Sequence, residues 1–382
     1  MLRIESILAL VAVVGAFAFP SLGSHWFEKL ERRLSQLARK QALSVAAVGL
    51  LGLALRAALL PVLPIPEPII HDEFGYLLAA DTFAHGRLTN PTHPMWIHFE
   101  TFSIIQKPTY QCFAQPAQGL ILALGQVIAG HPFWGVWLSV GLMCSAICWM
   151  LQGWLPPEWA LLGGLLAIIR YGTLTYWADS YWGGAMGAIG GALVLGALPR
   201  IRRSPRTRNA LLMGLGLTIL ATSRPYEGLV LSLPVAIAFF TWLGGKQSPA
   251  LRVTLRSLVL PLCVVVVMLG IAMSYYCWRV TGNPFQLPYQ AERQQYAVAP
   301  YMLWQPLRSE PAYHDDLVKR LYAHDEVQGY EFFRSPAGAI AKLVWTWRFY
   351  LGAALSLPFL ALILVLPVGF SWRQINKETR FL

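Results

Sequence analysis

The chain has 382 residues, of which 56% are hydrophobic and only 13% charged, and it carries 15 Trp, 15 Tyr and 18 Phe. That balance excludes a disordered chain and departs far from soluble averages, so lipid is the predicted solvent. The formal net charge of +11 does not indicate a nucleic-acid partner, because the basic residues sit between apolar runs and not on one polar surface.

A helix crosses the hydrocarbon with roughly 17–25 mostly apolar residues, because every backbone amide must be paired within the segment. About nine stretches meet that rule, at approximately 6–22, 43–63, 132–153, 159–175, 182–199, 209–224, 227–243, 257–278 and 344–368. The predicted fold is therefore all-α, a polytopic transmembrane helical bundle with two large outer-face loops containing membrane-surface helices. Residues 1–41 hold the first span and a basic cytoplasmic segment, 42–278 the core with a first outer loop at 64–117, 279–343 a second outer loop, and 344–382 the last span and tail. The apolar stretch from Ala117 to Gly130 is too short to span, and is predicted to be re-entrant or to lie against the membrane.

Orientation follows from the short basic connections. Lys29, Arg32, Arg33, Arg39 and Lys40 fall in the first, and Arg200, Arg202, Arg203, Arg206 and Arg208 in a later one. Lys246, Arg252 and Arg256, and the tail with Arg373, Lys377 and Arg380, share their parity, which assigns all four to the cytoplasm. A cleaved signal peptide ending near Gly23 is the alternative, and it would put the cluster from Lys29 to Lys40 outside against the charge rule. The cysteines Cys112, Cys144, Cys148, Cys263 and Cys277 include no C-x-x-C pair and read as small buried hydrophobes. Gly183, Gly184, Gly187, Gly190 and Gly191 recur at three- and four-residue spacing, a pattern for close helix packing.

Chemistry is concentrated in the outer loops. His71-Asp72-Glu73-Phe74-Gly75-Tyr76 opens a short helical pattern that Gly86 ends, so two carboxylates stand at a helix start. Asp72 has a structural reading as N-cap, and Glu73 one as complement to the helix dipole. The functional reading gives one carboxylate the proton of an attacking hydroxyl. Asp179, within Tyr176-Trp177-Ala178-Asp179-Ser180-Tyr181-Trp182, lies at the outer end of a hairpin, as do Arg224 and Glu227 around Pro225-Tyr226. The structural readings are helix capping for Asp179 and an interfacial ion pair for Arg224 with Glu227. Lys107, Arg170, Arg224, Arg293 and Arg308 are the cations that a departing phosphate would need. No metal site is predicted, since Pro94 breaks helical spacing between His93 and His98 and no H-E-x-x-H pattern occurs.

An outer loop beginning with Asp72-Glu73 at the start of a surface helix and followed by Tyr76 resembles the GT-C superfamily of membrane glycosyltransferases. The resemblance is to the branch of protein O-mannosyltransferases and the lipid A aminoarabinose transferase. Gln115-Pro116-Ala117-Gln118-Gly119-Leu120 is similar to the Pro-containing entry of that branch's membrane-lying helix, and Asp179 to a second acid at a later hairpin. Gly214-Leu215-Gly216 running to Arg224-Pro225-Tyr226-Glu227 is similar to its Gly-rich helix ending in a charged turn. The likeness covers roughly residues 42–280. It implies an inverting, metal-independent and cofactor-free transfer from a polyprenyl-phosphate sugar donor to a lipid, glycan or protein acceptor. By that likeness Asp72 is the base with Glu73 and Asp179 assisting; His71, Tyr76, Lys107, Tyr110, Arg170, Arg224 and Glu227 are the candidate substrate-binding residues. The charge parity puts this site on the outer face, and the chain reads as a protein of a bacterial inner membrane with the site facing the periplasm. Where relatives often have Lys-Pro-Pro or Tyr-Pro-Pro, this chain has Ala114-Gln115-Pro116-Ala117, so Lys107 is the substitute cation. A transporter or flippase of lipid-linked sugars and a non-catalytic membrane scaffold are the other readings. Transporters are often built of repeated halves with a mid-membrane site, whereas here the acids gather at one face.

Overall fold

The computed structural model describes residues 24–354 apart from Leu174, Lys246 and Gln247. They divide into two compact units, Leu34–Tyr296 and a smaller one taking in residues 24–33 and 297–354. Helix α1 is Ser24–Arg39, and the larger unit continues with α2 (Gln41–Ala58), α3 (His71–Ala84) and three short strands, β1 (Asn90–Pro91), β2 (Ile104–Ile105) and β3 (Thr109–Cys112). The strands pair antiparallel in the order β1-β3-β2. Then come α4 (Pro116–Ala129), α5 (Phe133–Leu151), α6 (Pro157–Tyr171), α7 (Gly184–Arg203), α8 (Thr207–Ser223) and α9 (Pro225–Leu243). The unit ends with α10 (Leu251–Thr281), which contains a π-helical turn at Leu255–Val259, and α11 (Pro288–Tyr296).

The fold is mostly helical, and among the described residues five helices (α2, α5, α7, α9 and α10) are long and apolar enough to cross a membrane, with mean hydropathies from 1.4 to 2.5. The predicted span at 159–175 is helical as α6 over 15 residues, below the roughly 17 that cross the hydrocarbon, and that at 209–224 is helical as α8 over 17 residues, at the lower end of that range. The loop from Gly172 ends α6, and Pro225 closes α8 at Arg224. The predicted span at 6–22 lies outside the described residues, as does the part of 344–368 beyond residue 354.

Helix α4 explains its own shortness. Gly130 terminates it in the left-handed conformation (φ 76°), and its side chains divide by face. Ala117, Leu122 and Ala123 are buried, whereas Leu120, Leu124, Val127 and Ile128, at one helical spacing, are exposed. The buried side needs glycine, since a Cβ on Gly125 would stand 2.1 Å from the Gly135 nitrogen of α5.

From α5 to α10 each helix, the shorter α6 and α8 included, reverses the direction of the one before it, so the helix ends sort into two sets. At one end, Gln152 donates to the Gln41 carbonyl (3.0 Å) and Arg39 approaches Glu158 (3.6 Å). Arg200 Nη2 donates to the Trp149 carbonyl there (2.7 Å). The carboxylates of α3 and of the 172–183 loop gather at the other. Helices α7 and α8 meet through Gly190 and Gly216: a Cβ on Gly190 would lie 3.0 Å from the Gly216 carbonyl and 2.9 Å from Leu220 Cγ. This is the close packing predicted from the glycine spacing. Gly190→Leu is therefore expected to separate the pair and lower stability by about 1–3 kcal/mol, read as a thermal shift in detergent, while Gly270→Ala, with open space around it, changes little.

Of the five free cysteines, four are buried and Cys263 is exposed on α10. In the smaller unit, α12 (Asp316–Lys319), a π-helical turn (Arg320–Asp325) and α13 (Glu326–Arg334) follow one another, and Ser335 separates them from α14 (Pro336–Ala354). Asp315 caps α12 by accepting from Leu317 N (2.8 Å) and Val318 N (2.9 Å).

Candidate active site

After a turn at residues 59–62, Pro64, Pro66 and Pro68 keep the chain out of helix, because each disfavours helix in the residue before it. Helix resumes after the last of them, with Ile70 as its extended N-cap residue (φ −102°, ψ 142°). Asp72 therefore occupies the first turn and is not the cap residue of the structural reading. Capping falls to Glu73, whose Oε2 accepts from Ile69 N (2.7 Å) and Ile70 N (3.3 Å).

Glu73 is 1% exposed, and its other oxygen, Oε1, accepts from Tyr176 Oη (2.8 Å) and Tyr181 N (3.2 Å). Four protein donors thus converge on one carboxylate, which ties the start of α3 to the 172–183 loop. Tyr181 adds a second tie by donating its hydroxyl to the Pro66 carbonyl (2.9 Å). Burial, and then Glu73 and Asp179, push the Tyr181 phenol up to about 12, so it stays a donor at neutral pH. Burial and the bond to Glu73 likewise raise Tyr176 well above the ordinary phenol range. Glu73→Gln leaves one acceptor oxygen where two served four donors. It is expected to cost about 3 kcal/mol or more in stability, measurable as a lowered unfolding temperature.

Asp72 sits differently. Its side chain is 18% exposed, and its contacts among the described residues fall on Oδ1, which accepts from Ser103 Oγ (2.7 Å) and faces His71 Nδ1 (3.0 Å). His71 Nδ1 is also 2.7 Å from Ser103 Oγ, which closes a triangle. Ser103 has a positive φ of 62°, a conformation that costs a non-glycine residue about 1 kcal/mol or more and that surrounding contacts must hold. Its carbonyl accepts from Phe113 N (3.1 Å). Gly75 makes room for that carbonyl, since a Cβ there would come within 2.9 Å of it. Tyr76, one turn beyond Asp72, is buried. Desolvation raises its phenol far above the ordinary range, against a lowering by Arg224, while Asp72 and Glu227 add to the rise.

Asp179 is met by a cation that the sequence reading did not single out. Arg56, at the end of α2 and 1% exposed, donates Nη2 to Asp179 Oδ1 (2.9 Å), Nε to the Ala178 carbonyl (3.2 Å) and Nη1 to the Leu63 carbonyl (2.9 Å). Its guanidinium also lies 5.0 Å from the Phe133 ring centre. Arg224 lies 5.6 Å from the Trp182 ring centre and 3.7 Å from Glu227, which is 61% exposed, so this ion pair is loose and solvated. Gln118 donates to the Tyr181 carbonyl (2.8 Å), bringing the N-terminus of α4 to the same loop. Its N-cap residue, Gln115, is 5% exposed, and neither side-chain amide atom has a hydrogen-bond partner among the described residues.

His71, Asp72, Glu73, Tyr76, Asp179, Arg224 and Glu227 thus gather around the first turns of α3 and the 172–183 loop. Arg170 is half-buried in the last turn of α6 and makes no ion pair with any of them among the described residues. Tyr110 lies in β3, paired with Asn90, and burial raises its phenol. Lys107 stands 4.1 Å over the Trp96 ring and borders a separate cleft of about 690 Å³ with Thr92, Thr281, Gln286 and Gln294. Ser103, Arg56 and Gln115 were the site residues missed from sequence. A lone Arg closing an apolar span was the one available signal for Arg56, because ionisable groups at that depth require a partner.

Among the described residues these features define a mostly helical protein with five membrane-length apolar helices and a cluster of acids, phenols and two arginines, Arg56 and Arg224, at one end of its bundle. No protein-family model, no curated protein and no solved structure matches the chain.

Proposed function

We propose that the chain is an inverting membrane glycosyltransferase that moves a sugar from a polyprenyl-phosphate donor to a hydroxyl or amine of a lipid, glycan or protein acceptor. The observation that carries this reading is Asp72, a partly buried carboxylate held on one oxygen by Ser103 and His71, with no partner on its second oxygen among the described residues. In the reaction Asp72 Oδ2 takes the acceptor proton as the acceptor atom bonds to the sugar's anomeric carbon. The bond from that carbon to the phosphate oxygen breaks, and the polyprenyl phosphate leaves with the electron pair. Arg224, the backbone N–H groups opening α4 and the side-chain amide of Gln115 are the groups suited to the departing charge. Glu73 and Asp179 serve by position, Glu73 fixing the 172–183 loop and Asp179 engaging Arg56.

This reading takes the bundle as about nine spans in a bacterial inner membrane, with the carboxylate end at the periplasmic face and Arg39, Arg200 and Arg252 at the cytoplasmic one. The test is to incubate membranes containing the overproduced protein with polyprenyl-phosphate sugars labelled in the sugar. Label should move from the lipid carrier to an acceptor fraction and free polyprenyl phosphate should accumulate in step. Flipping of the intact labelled lipid with no cleavage would overturn the transferase reading.

A further inference from the structure

Between α3 and α4 the chain projects a segment whose tip is apolar. Around the short 3-10 turn Trp96–His98, Met95, Ile97 and Phe99 are 57%, 38% and 55% exposed. Full burial of such side chains is worth about 1.5–3 kcal/mol each, so three together on one turn imply an apolar neighbour.

Two contacts fix where this tip sits. Thr109 Oγ1 donates to the Val280 carbonyl of α10 (2.6 Å), and a Cβ on Gly282 would lie 3.9 Å from Pro108 Cγ. These contacts put Pro108 and Thr109 beside the C-terminal end of α10, and the tip is tied to the same stretch by Gln106 Nε2 donating to the Phe99 carbonyl (2.6 Å) and by Lys107 over the Trp96 ring (4.1 Å). That helix buries only 11% of its most apolar window, so its flank faces a continuous apolar medium. Near its end Tyr275 and Trp278 are 50% and 53% exposed, and the exposed Arg279 donates to Tyr275 Oη (3.3 Å). Half-exposed aromatics followed by a base mark the interface between hydrocarbon and head groups. Lys107 Nζ over the Trp96 ring repeats that arrangement on the tip, with an indole body below an ammonium group.

We infer that the turn around Trp96 is a membrane-docking element that inserts Met95, Ile97 and Phe99 among the lipids of the leaflet at the carboxylate end, with Lys107 on anionic phospholipid head groups. Continuity with the lipid-facing flank of α10 selects a lipid surface over a protein partner, and the positive charge of Lys107 and Arg279 selects anionic lipid. Ser103, the residue that holds Asp72, lies on the same projecting segment. Docking would therefore steady the carboxylate site from outside the bundle.

The test places a nitroxide at Met95→Cys in a Cys263→Ser background, since Cys263 is exposed and the other four cysteines are buried. The full chain is studied in phosphatidylcholine nanodiscs with and without phosphatidylglycerol. Collisions with dissolved oxygen should exceed those with a water-soluble nickel complex, and adding phosphatidylglycerol should raise that ratio unless Lys107→Gln is also present. Nickel collisions dominating in both lipids would overturn docking. A ratio indifferent to both phosphatidylglycerol and Lys107→Gln would overturn the anionic head-group contact. Neither readout depends on sugar transfer, so failure here is separable from failure of the transferase reading.

Discussion

Asp72→Asn is expected to lower sugar transfer by about 10²–10⁴-fold, the usual contribution of a general base. An asparagine has the same shape and its Oδ1 can still accept the Ser103 hydroxyl, but its amide cannot take a proton. The fold should register little, because the residue lies in the first helical turn at partial exposure, where the lost charge is worth about 0.3–1 kcal/mol. Ser103→Ala provides the comparison. It removes the 2.7 Å bond to Asp72 and leaves the carboxylate, so transfer should fall by a smaller factor. The measurement is initial-rate transfer in membranes holding matched amounts of each variant, beside their unfolding temperatures. Wild-type transfer by Asp72→Asn would remove this carboxylate from the chemistry.

The helices were legible in the sequence because their signal is local. Apolar runs, prolines at helix starts and glycines after helix ends locate α4, α5, α7 and α9 to within four residues at each end, and α2 and α10 to within six. The helix at the predicted span 159–175 ends early, at Tyr171, because a hydropathy count weighs composition and not where the backbone turns, whereas α8 matches the predicted 209–224 to within two residues at each end. The site was legible in part. His71-Asp72-Glu73-Tyr76 announces itself by adjacency, but the different lives of its two acids depend on partners far along the chain. Tyr176 and Tyr181 stand 103 and 108 residues from Glu73, and Ser103 stands 31 from Asp72. Nothing in the spacing of Asp72 and Glu73 says which is enclosed. Arg56 was overlooked for the same reason, since its partner Asp179 is 123 residues away and the helix around it reads simply as a span.

The Arg56–Asp179 pair has an expected effect on folding that depends on which member is removed. Arg56 is 1% exposed at its side chain, whereas Asp179 is 40% exposed. Removing the acid by Asp179→Ala leaves a guanidinium enclosed with only carbonyls of Ala178 and Leu63 and the ring of Phe133 around it. Loss of one partner from a buried pair costs about 3–5 kcal/mol, and the two remaining carbonyls argue for the lower end. Removing the base by Arg56→Met instead leaves an acid that water already reaches, together with two carbonyls short of a donor, for an expected cost of about 1–2 kcal/mol. The double variant should be less unstable than the sum of the two, because the second change removes a group that the first had stranded. Unfolding temperatures of the three variants in nanodiscs read this directly. If Arg56→Met were the more damaging single change, the guanidinium would owe its place to the carbonyls it gathers, and Asp179 would be free to serve substrate without cost to the fold.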